Sequence, residues 1–178
     1  MNTSPNRRLA LVILMSVVFP LQALEVKLDD FVSIRWGATM EEARTIMKSS
    51  KGLDVIQRSS DTTMLYFEGG TFGAWRAARW NLWFVDGKFH SGRVMVLVPG
   101  KRDRAYAEVK KTLTEKYGIP TRSESKGWSS ALWRIPATLS DKSEKEILLT
   151  DNPAEDGPRI QYSNVTMKKP EQAAPEDL

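Results

Sequence analysis

The middle of the chain contains the feature that most restricts its fold, an Asp-Gly pair between two long apolar segments. Asp86-Gly87 separates residues 76–85 from residues 88–98, inside a stretch that holds three of the six tryptophans and the single histidine. An Asp-Gly pair flanked by such segments is a strong short-range signal for a β-hairpin. We therefore predict that residues 76–85 pair with residues 88–98 in the middle of an antiparallel sheet.

The sequence leaves two registers open for this hairpin, and a shift of one residue exchanges every cross-strand partner. A three-residue turn with a bulge at Gly87 places Gly92 opposite Trp80. The apolar face then combines two sets of side chains: Trp80, Leu82 and Phe84 with Val94, Val96 and Val98. A two-residue turn instead supplies that face with Phe89, Ser91, Arg93, Met95 and Leu97. The first register is favoured because it keeps an arginine away from the apolar cluster.

The N-terminus has the composition of a secretory signal. Arg7-Arg8 precedes residues 9–19, which carry no charge, and a short segment ending in Ala23 follows. This order of basic, apolar and cleavage regions predicts a signal peptide over residues 1–23. The apolar run is shorter than the ~20 residues that span a bilayer, and an uncleaved anchor is the alternative. The remaining chain is long enough for a single domain, which we place at residues 24–167.

Composition excludes several kinds of site. The chain has no cysteine, so disulfides, thiolate metal sites and lipid attachment through cysteine are ruled out. The net charge of +4 is too small to indicate nucleic-acid binding. The glycines of residues 69–73 lack the lysine and hydroxyl residue of a phosphate-binding loop.

Catalysis is also disfavoured by the residues available. With His90 as the only imidazole, a histidine-rich metal site cannot form. Ser91 is its neighbour in a predicted strand and points to the opposite face, which argues against a Ser-His-Asp arrangement. We predict a surface histidine near the hairpin turn, and a protein that is not an enzyme and uses no metal or cofactor.

Two segments carry helix signals. Thr39 and Glu42 have the spacing of a capping box, which predicts a first helix over residues 39–50. A single apolar stripe followed by Gly-Ile-Pro predicts a second helix over residues 103–117.

Short apolar or alternating segments predict the strands. Residues 31–36 are expected to form a short strand or an extended arm ahead of the first helix. Seven further strands are predicted at residues 53–57, 63–67, 76–85, 88–98, 130–135, 146–150 and 159–165. The result is an α+β fold in the order α-β-β-β-β-α-β-β-β, with both helices packed on one face of an antiparallel sheet of about six or seven strands. Residues 59–61 are predicted to form a turn, and the polar residues 168–178 a disordered tail.

A mixture of indole and guanidinium side chains supplies the candidate binding residues: Trp75, Arg76, Arg79, Trp83 and Arg93. If the outer face of the sheet carries Arg79 and Trp83, it offers a flat amphipathic surface for carboxylates, phosphates or the backbone of another protein. The alternative is that Trp83 is covered by a helix or by the second group of strands and belongs to the core.

Three short motifs resemble those of small exported bacterial domains: Trp-Gly-Ala-Thr-Met-Glu-Glu at 36–42, residues 84–89 and Tyr-Gly-Ile-Pro at 117–120. More remotely, a helix followed by strands is similar to the outer-membrane assembly lipoprotein BamE and to the β-lactamase inhibitor fold. The resemblance implies a non-catalytic binding module, although this chain lacks the lipidated cysteine of BamE.

These observations predict a non-catalytic protein exported to the periplasm or the extracellular space, where it binds another protein or an envelope component. The alternative is recognition of an anionic envelope polymer or lipid headgroup through the Arg/Trp face, and a hydrolase is the third possibility. Membrane association is expected only if the signal is uncleaved.

Overall fold

The computed structural model describes residues 28–56, 63–100, 102–126, 128–138 and 141–167. The predicted signal peptide, the turn at 59–61 and the C-terminal tail lie outside these residues. In the part of the chain that is described, no helix is both long and apolar enough to cross a membrane.

Ten strands and two α-helices make up the described chain. The strands are β1 Asp30–Phe31, β2 Ile34–Arg35, β3 Met64–Glu68, β4 Thr71–Phe72, β5 Trp75–Val85, β6 Lys88–Leu97, β7 Arg122–Lys126, β8 Trp128–Ile135, β9 Lys145–Asp151 and β10 Arg159–Asn164. The helices are α1 Met40–Lys51 and α2 Arg102–Tyr117, and a 3₁₀ turn covers Val165–Met167. Eight strands form one antiparallel sheet in the order β3-β5-β6-β10-β9-β8-β7, with β4 also paired to β5. The predicted α+β class is confirmed.

Two details of the predicted strand order are wrong. Residues 53–56 form no strand, although Ile56 N donates to the Tyr66 carbonyl at 2.9 Å; Gln57 lies outside the described residues. The polar edge strand β7 was not predicted, because its sequence Arg-Ser-Glu-Ser-Lys shows no apolar alternation. Strand β7 is held by its pairing with β8 rather than by its own propensity.

The first helix begins where local chemistry predicts. The Thr39 hydroxyl accepts from Glu42 N at 3.3 Å, and Glu42 Oε2 accepts from Thr39 N at 2.7 Å. Gly52 ends the helix with φ of 65°, a left-handed conformation that glycine adopts without a Cβ clash. The capping box is therefore present in the structure.

The central hairpin adopts neither predicted register in full. Its turn has two residues, Asp86 and Gly87, both with positive φ, and Phe84 pairs with Phe89. A bulge then follows, because Trp83 pairs with Ser91 and leaves His90 as the extra residue. Beyond the bulge Trp80 faces Val94, so the predicted pairing of Trp80 with Gly92 is wrong.

One face of the sheet, here called the inner face, is the core. Its fully or nearly fully buried residues include Leu65, Phe67, Trp80, Leu82, Phe89, Val94, Val96, Trp133, Ile147, Leu149 and Ile160. Ala43 and Met47 of α1, and Val109 and Leu113 of α2, belong to the same core cluster. Both helices therefore lie on the inner face, as predicted.

The segment before α1 is a hairpin that fills the core, not an extended arm. Strands β1 and β2 pair around Val32 and Ser33, and Phe31 is 2% exposed. The Phe31 ring lies 5.3 to 6.3 Å from four other rings, those of Phe72, Trp80, Phe89 and Tyr162. A Cβ placed on Gly92 would lie only 2.2 Å from the Phe31 ring, so a glycine is needed there.

Candidate functional site

The face of the sheet opposite the helices, here called the outer face, brings together side chains from β3, β5, β6 and β10. Two cross-strand rows run across it. The first is Glu68, Arg79, Met95 and Arg159, and the second is Tyr66, Asn81, Arg93 and Gln161. Cross-strand partners share a face of a sheet, so these residues are neighbours on one surface. Neither described helix lies on this face.

Arg93 is constrained by two neighbouring side chains on the outer face. Its Cζ lies 4.8 Å from the centroid of the Trp83 ring, a cation–π contact. Its Nε and Nη2 donate to Gln161 Oε1 at 3.0 and 2.6 Å. Because the ring and the amide constrain the guanidinium, little rotamer entropy remains to be lost when Arg93 binds a ligand.

Gln161 is oriented by two buried serines beneath it. Its Nε2 donates to Ser91 Oγ and to Ser163 Oγ, each at 3.2 Å. The two hydroxyls lie 2.9 Å apart, and Ser91 Oγ donates to the Tyr162 carbonyl at 3.1 Å. Both serines are buried. The Nε2 group of Gln161 donates to the two serines. Its Oε1 therefore points toward Arg93.

Two further arginines flank Arg93. Arg79 Nη2 lies 3.4 Å from Met95 Sδ, and Met95 is only 3% exposed although it lies on the outer face. Arg159 forms an ion pair with Glu155. Burial lowers the pKa of Arg159, and the nearby guanidinium groups of Arg93 and Arg79 lower it further. Three positive side chains thus lie close enough to repel one another.

Burial also lowers the pKa of Arg93. The group is half-buried, and its described hydrogen-bond partner, Gln161, carries no charge. A guanidinium that is partly removed from water and partnered by neutral groups retains a favourable interaction for an added anion.

Acidic residues lie at the margins of this cluster. Glu68 is the cross-strand partner of Arg79, Glu155 pairs with Arg159, and Arg134 Nε lies 3.2 Å from Glu146 Oε1 farther along the face. The outer face therefore has a positive centre with carboxylates at its margins.

The structure places four of the five predicted site residues on the outer face and the fifth, Trp75, on the inner face. Arg79, Trp83 and Arg93 lie on the outer face as neighbours. Arg76 is exposed at the end of β5, opposite Leu97. Trp75 is buried on the inner face, where its Nε1 donates to Glu108 Oε1 of α2 at 3.0 Å. Trp75 is therefore a contact between the sheet and helix α2.

Sequence analysis missed Arg159, Gln161 and Met95 as members of the surface. Residues 159–165 were predicted as a strand. Nothing in their sequence indicates that they pair with β6, which lies much earlier in the chain. Arg93 and Gln161 are 68 residues apart in the chain. Once that pairing is known, alternation places Arg159 and Gln161 on the outer face.

His90 is not the surface residue that was predicted, since it is 6% exposed. That prediction rested on its position near the hairpin turn, and in the structure His90 is the extra residue of a bulge there. Among the described residues, no group of three or more histidine and acidic side chains is arranged to hold a metal ion.

An open groove of about 770 Å³ lies between the N-terminal hairpin and α1, lined by Ser33, Arg35, Trp36, Gly37, Ala38, Thr39, Glu41, Glu42, Thr45, Ile46 and Lys88. The backbone and side chain of Thr39 hydrogen-bond to Glu42 and lower the pKa of its carboxyl. A carboxyl stabilised in its charged form is poorly suited to general-acid catalysis. This groove has the geometry of a helix cap: the Thr39 hydroxyl donates to the Glu42 carboxylate at 2.8 Å as part of the capping box of α1.

Comparison of the chain with protein-family models, with curated proteins and with solved structures finds no match. The outer face itself is therefore the basis for inferring function, and the resemblance to BamE stays a prediction.

Proposed function

We propose that this protein is a non-catalytic, exported binding module that recognises another protein through the outer face of its sheet. The observation that carries the proposal is the Arg93 guanidinium, held by the Trp83 ring and Gln161 on a face that neither described helix covers. Aromatic and arginine side chains are the residue types enriched at the centres of protein interfaces.

The charge pattern favours a protein partner over a uniformly charged one. Glu68, Glu146 and Glu155 lie around the arginines. A membrane or polymer with negative charge at every point would approach these carboxylates as well as the arginines, and like charges repel. The surface of a protein can instead carry negative charge opposite the central arginines and positive charge opposite the carboxylates at the margins.

Site-specific crosslinking in the native envelope tests this proposal. A photoreactive amino acid at Asn81, half-buried on the outer face between Tyr66 and Arg93, should crosslink a discrete protein. The matched position is Lys111 on α2, whose side chain is 77% exposed. The proposal predicts a crosslinked protein from position 81 that is absent from position 111. Crosslinks from position 111 alone, or none from position 81, would contradict it.

A second candidate function is recognition of an anionic envelope polymer or a lipid headgroup, and the cluster of three arginines supports it. This candidate predicts an affinity that falls steeply with salt, because the surface charge is screened over about 8 Å at physiological ionic strength. A protein interface that combines apolar burial at Trp83 with a few arginine contacts predicts a weaker salt dependence, since the apolar contribution is not screened.

A further inference from the structure

We propose that the partner presents an extended segment with acidic residues at alternate positions, and that Arg79, Arg93 and Arg159 bind its carboxylates. This inference rests on the proposed function and specifies the chemistry of the partner at the same surface.

The register defines the arrangement of the three arginines. Arg79 and Arg159 both pair with Met95, from opposite sides of β6, and Arg93 lies two residues before Met95. Diagonal neighbours of this kind are about 7–8 Å apart at Cα, so Arg93 is equally close to both. Arg79 and Arg159 are separated by two strand spacings, about 10 Å. The three residues form a triangle around Met95.

An extended chain matches this spacing. Its alternate side chains share one face and are about 7 Å apart, two residues at 3.2–3.4 Å each. Two glutamates separated by one residue would therefore reach Arg93 and one of its diagonal neighbours together. Arginine binds carboxylates through paired N–H groups, which gives this contact directional specificity as well as charge attraction.

The three arginines are preorganised to bind an anion. Trp83 and Gln161 hold Arg93, and the Arg79 guanidinium rests against the Met95 sulfur. Glu155 is paired with Arg159 and Glu68 lies opposite Arg79, so the three guanidinium groups outnumber these two carboxylates. An added pair of carboxylates would reduce the mutual repulsion of the arginines.

A twofold-symmetric dimer centred on the arginines does not fit this surface. Each patch would meet its own copy there, so the arginines of both chains would be brought together. Like charges placed directly opposite one another are destabilising. The observations therefore favour an acidic segment of a different protein.

The test uses the full chain and a capped heptapeptide, Ser-Glu-Thr-Glu-Thr-Glu-Ser. Its controls are the same peptide with glutamines in place of glutamates, and an isomer with its three glutamates adjacent. Binding is followed through the Nε–H resonances of the arginines by NMR. We expect the alternating peptide to bind at least tenfold more tightly than the glutamine peptide, and more tightly than the isomer.

Variants identify the residues involved. R79Q, R93Q and R159Q should each weaken binding by about tenfold, the effect of losing roughly 1.4 kcal/mol of contact energy. R93K keeps the charge but loses the planar group, so its loss should be intermediate. R134Q, on the same face beside Glu146, should bind within about twofold of the parent. Unchanged unfolding midpoints would show that each variant is folded.

Several results would overturn the inference: equal binding of the glutamine peptide, equal losses in R134Q and R93Q, or no loss in any arginine variant. Equal or tighter binding of phosphatidylglycerol vesicles or inorganic phosphate, lost in R93Q, would assign the cluster to phosphate and overturn it as well. The crosslinking result is independent. A protein crosslinked from position 81 with no peptide binding would leave the proposed function standing and remove only the acidic segment.

Discussion

Two tryptophans on one strand show how differently the two faces of the sheet use the same side chain. Trp80 lies on the inner face, is fully buried, and donates from Nε1 to the Gly69 carbonyl at 2.8 Å. Trp83, three residues later, lies half-buried on the outer face beneath Arg93. The first contributes to folding through burial and a satisfied hydrogen bond. The second supports a charged group at the surface, so residue type alone does not distinguish core from site.

The two faces also differ in the partners of their charged side chains. On the inner face Lys145 is buried, and its Nζ forms an ion pair with Asp141. On the outer face Arg93 is half-buried with a neutral hydrogen-bond partner. A buried charge is tolerated in a core only when it is paired. A partly solvated charge at a surface does not need an ion-pair partner, so it remains available to bind a ligand.

The largest expected effect is on stability, and it should differ between the two tryptophans. W80A should lower the free energy of unfolding by about 3–5 kcal/mol, the range for a buried aromatic side chain. W83A should cost about 1–2 kcal/mol, because it removes partial burial and a cation–π contact. Denaturant unfolding of both variants measures the difference. Equal losses of stability would mean that Trp83 contributes to folding as much as Trp80 does. The proposed difference between the two faces would then be wrong.

A smaller effect should come from the close approach of Gly92 to Phe31. G92A should cost about 1–3 kcal/mol, because the new methyl group overlaps the Phe31 ring. In an F31A background the same change should cost much less, since the ring is gone and the two sites are coupled. A double-mutant cycle by urea unfolding measures the coupling. Additive effects would show that the N-terminal hairpin does not pack there.

The smallest effect should appear at low pH through the ion pair of Lys145 with Asp141. Lys145 and Ser143 hydrogen-bond to Asp141 and lower the pKa of its carboxyl to about 2, from an ordinary value of 3.8. Because the folded-state pKa lies below the unfolded one, this stabilisation is complete above pH ~4 and is lost as the pH falls toward 2. The Asp141 side chain is 37% exposed, so solvent screening reduces the contribution to about 1 kcal/mol.

Comparison of the parent with K145M across this pH range measures that contribution. The difference in unfolding free energy between the two proteins should change by about 1 kcal/mol between pH 5 and pH 2. The control is K48M, whose exposed pair with Asp54 at 2.9 Å should show little pH dependence. A K145M difference that is constant with pH would show that the pair does not stabilise the fold.

Sequence reasoning reached the two helices, most of the strands and the identity of the central hairpin, because each depends on nearby residues. It left open whether Arg79 and Trp83 share the outer face; the structure places them there, with Arg93 beside Trp83, as alternation along paired strands allows. It failed where a bulge changes the register, as in the predicted pairing of Trp80 with Gly92, and where a strand lacks an apolar pattern, as in β7. It also placed Trp75 with the arginines although the residue contacts α2.

Local interactions in the amino-acid sequence determined the Thr39 cap and the Asp86-Gly87 turn, because their partners are at most a few residues apart. Only the tertiary structure decided that Phe31 fills the space above Gly92 and that Gln161 orients Arg93. Those contacts join segments separated by about 60 residues or more of chain, and strand pairing brings them together. The physical reason is that a residue pattern specifies which face a side chain occupies, while the order of strands in the sheet specifies its neighbours on that face.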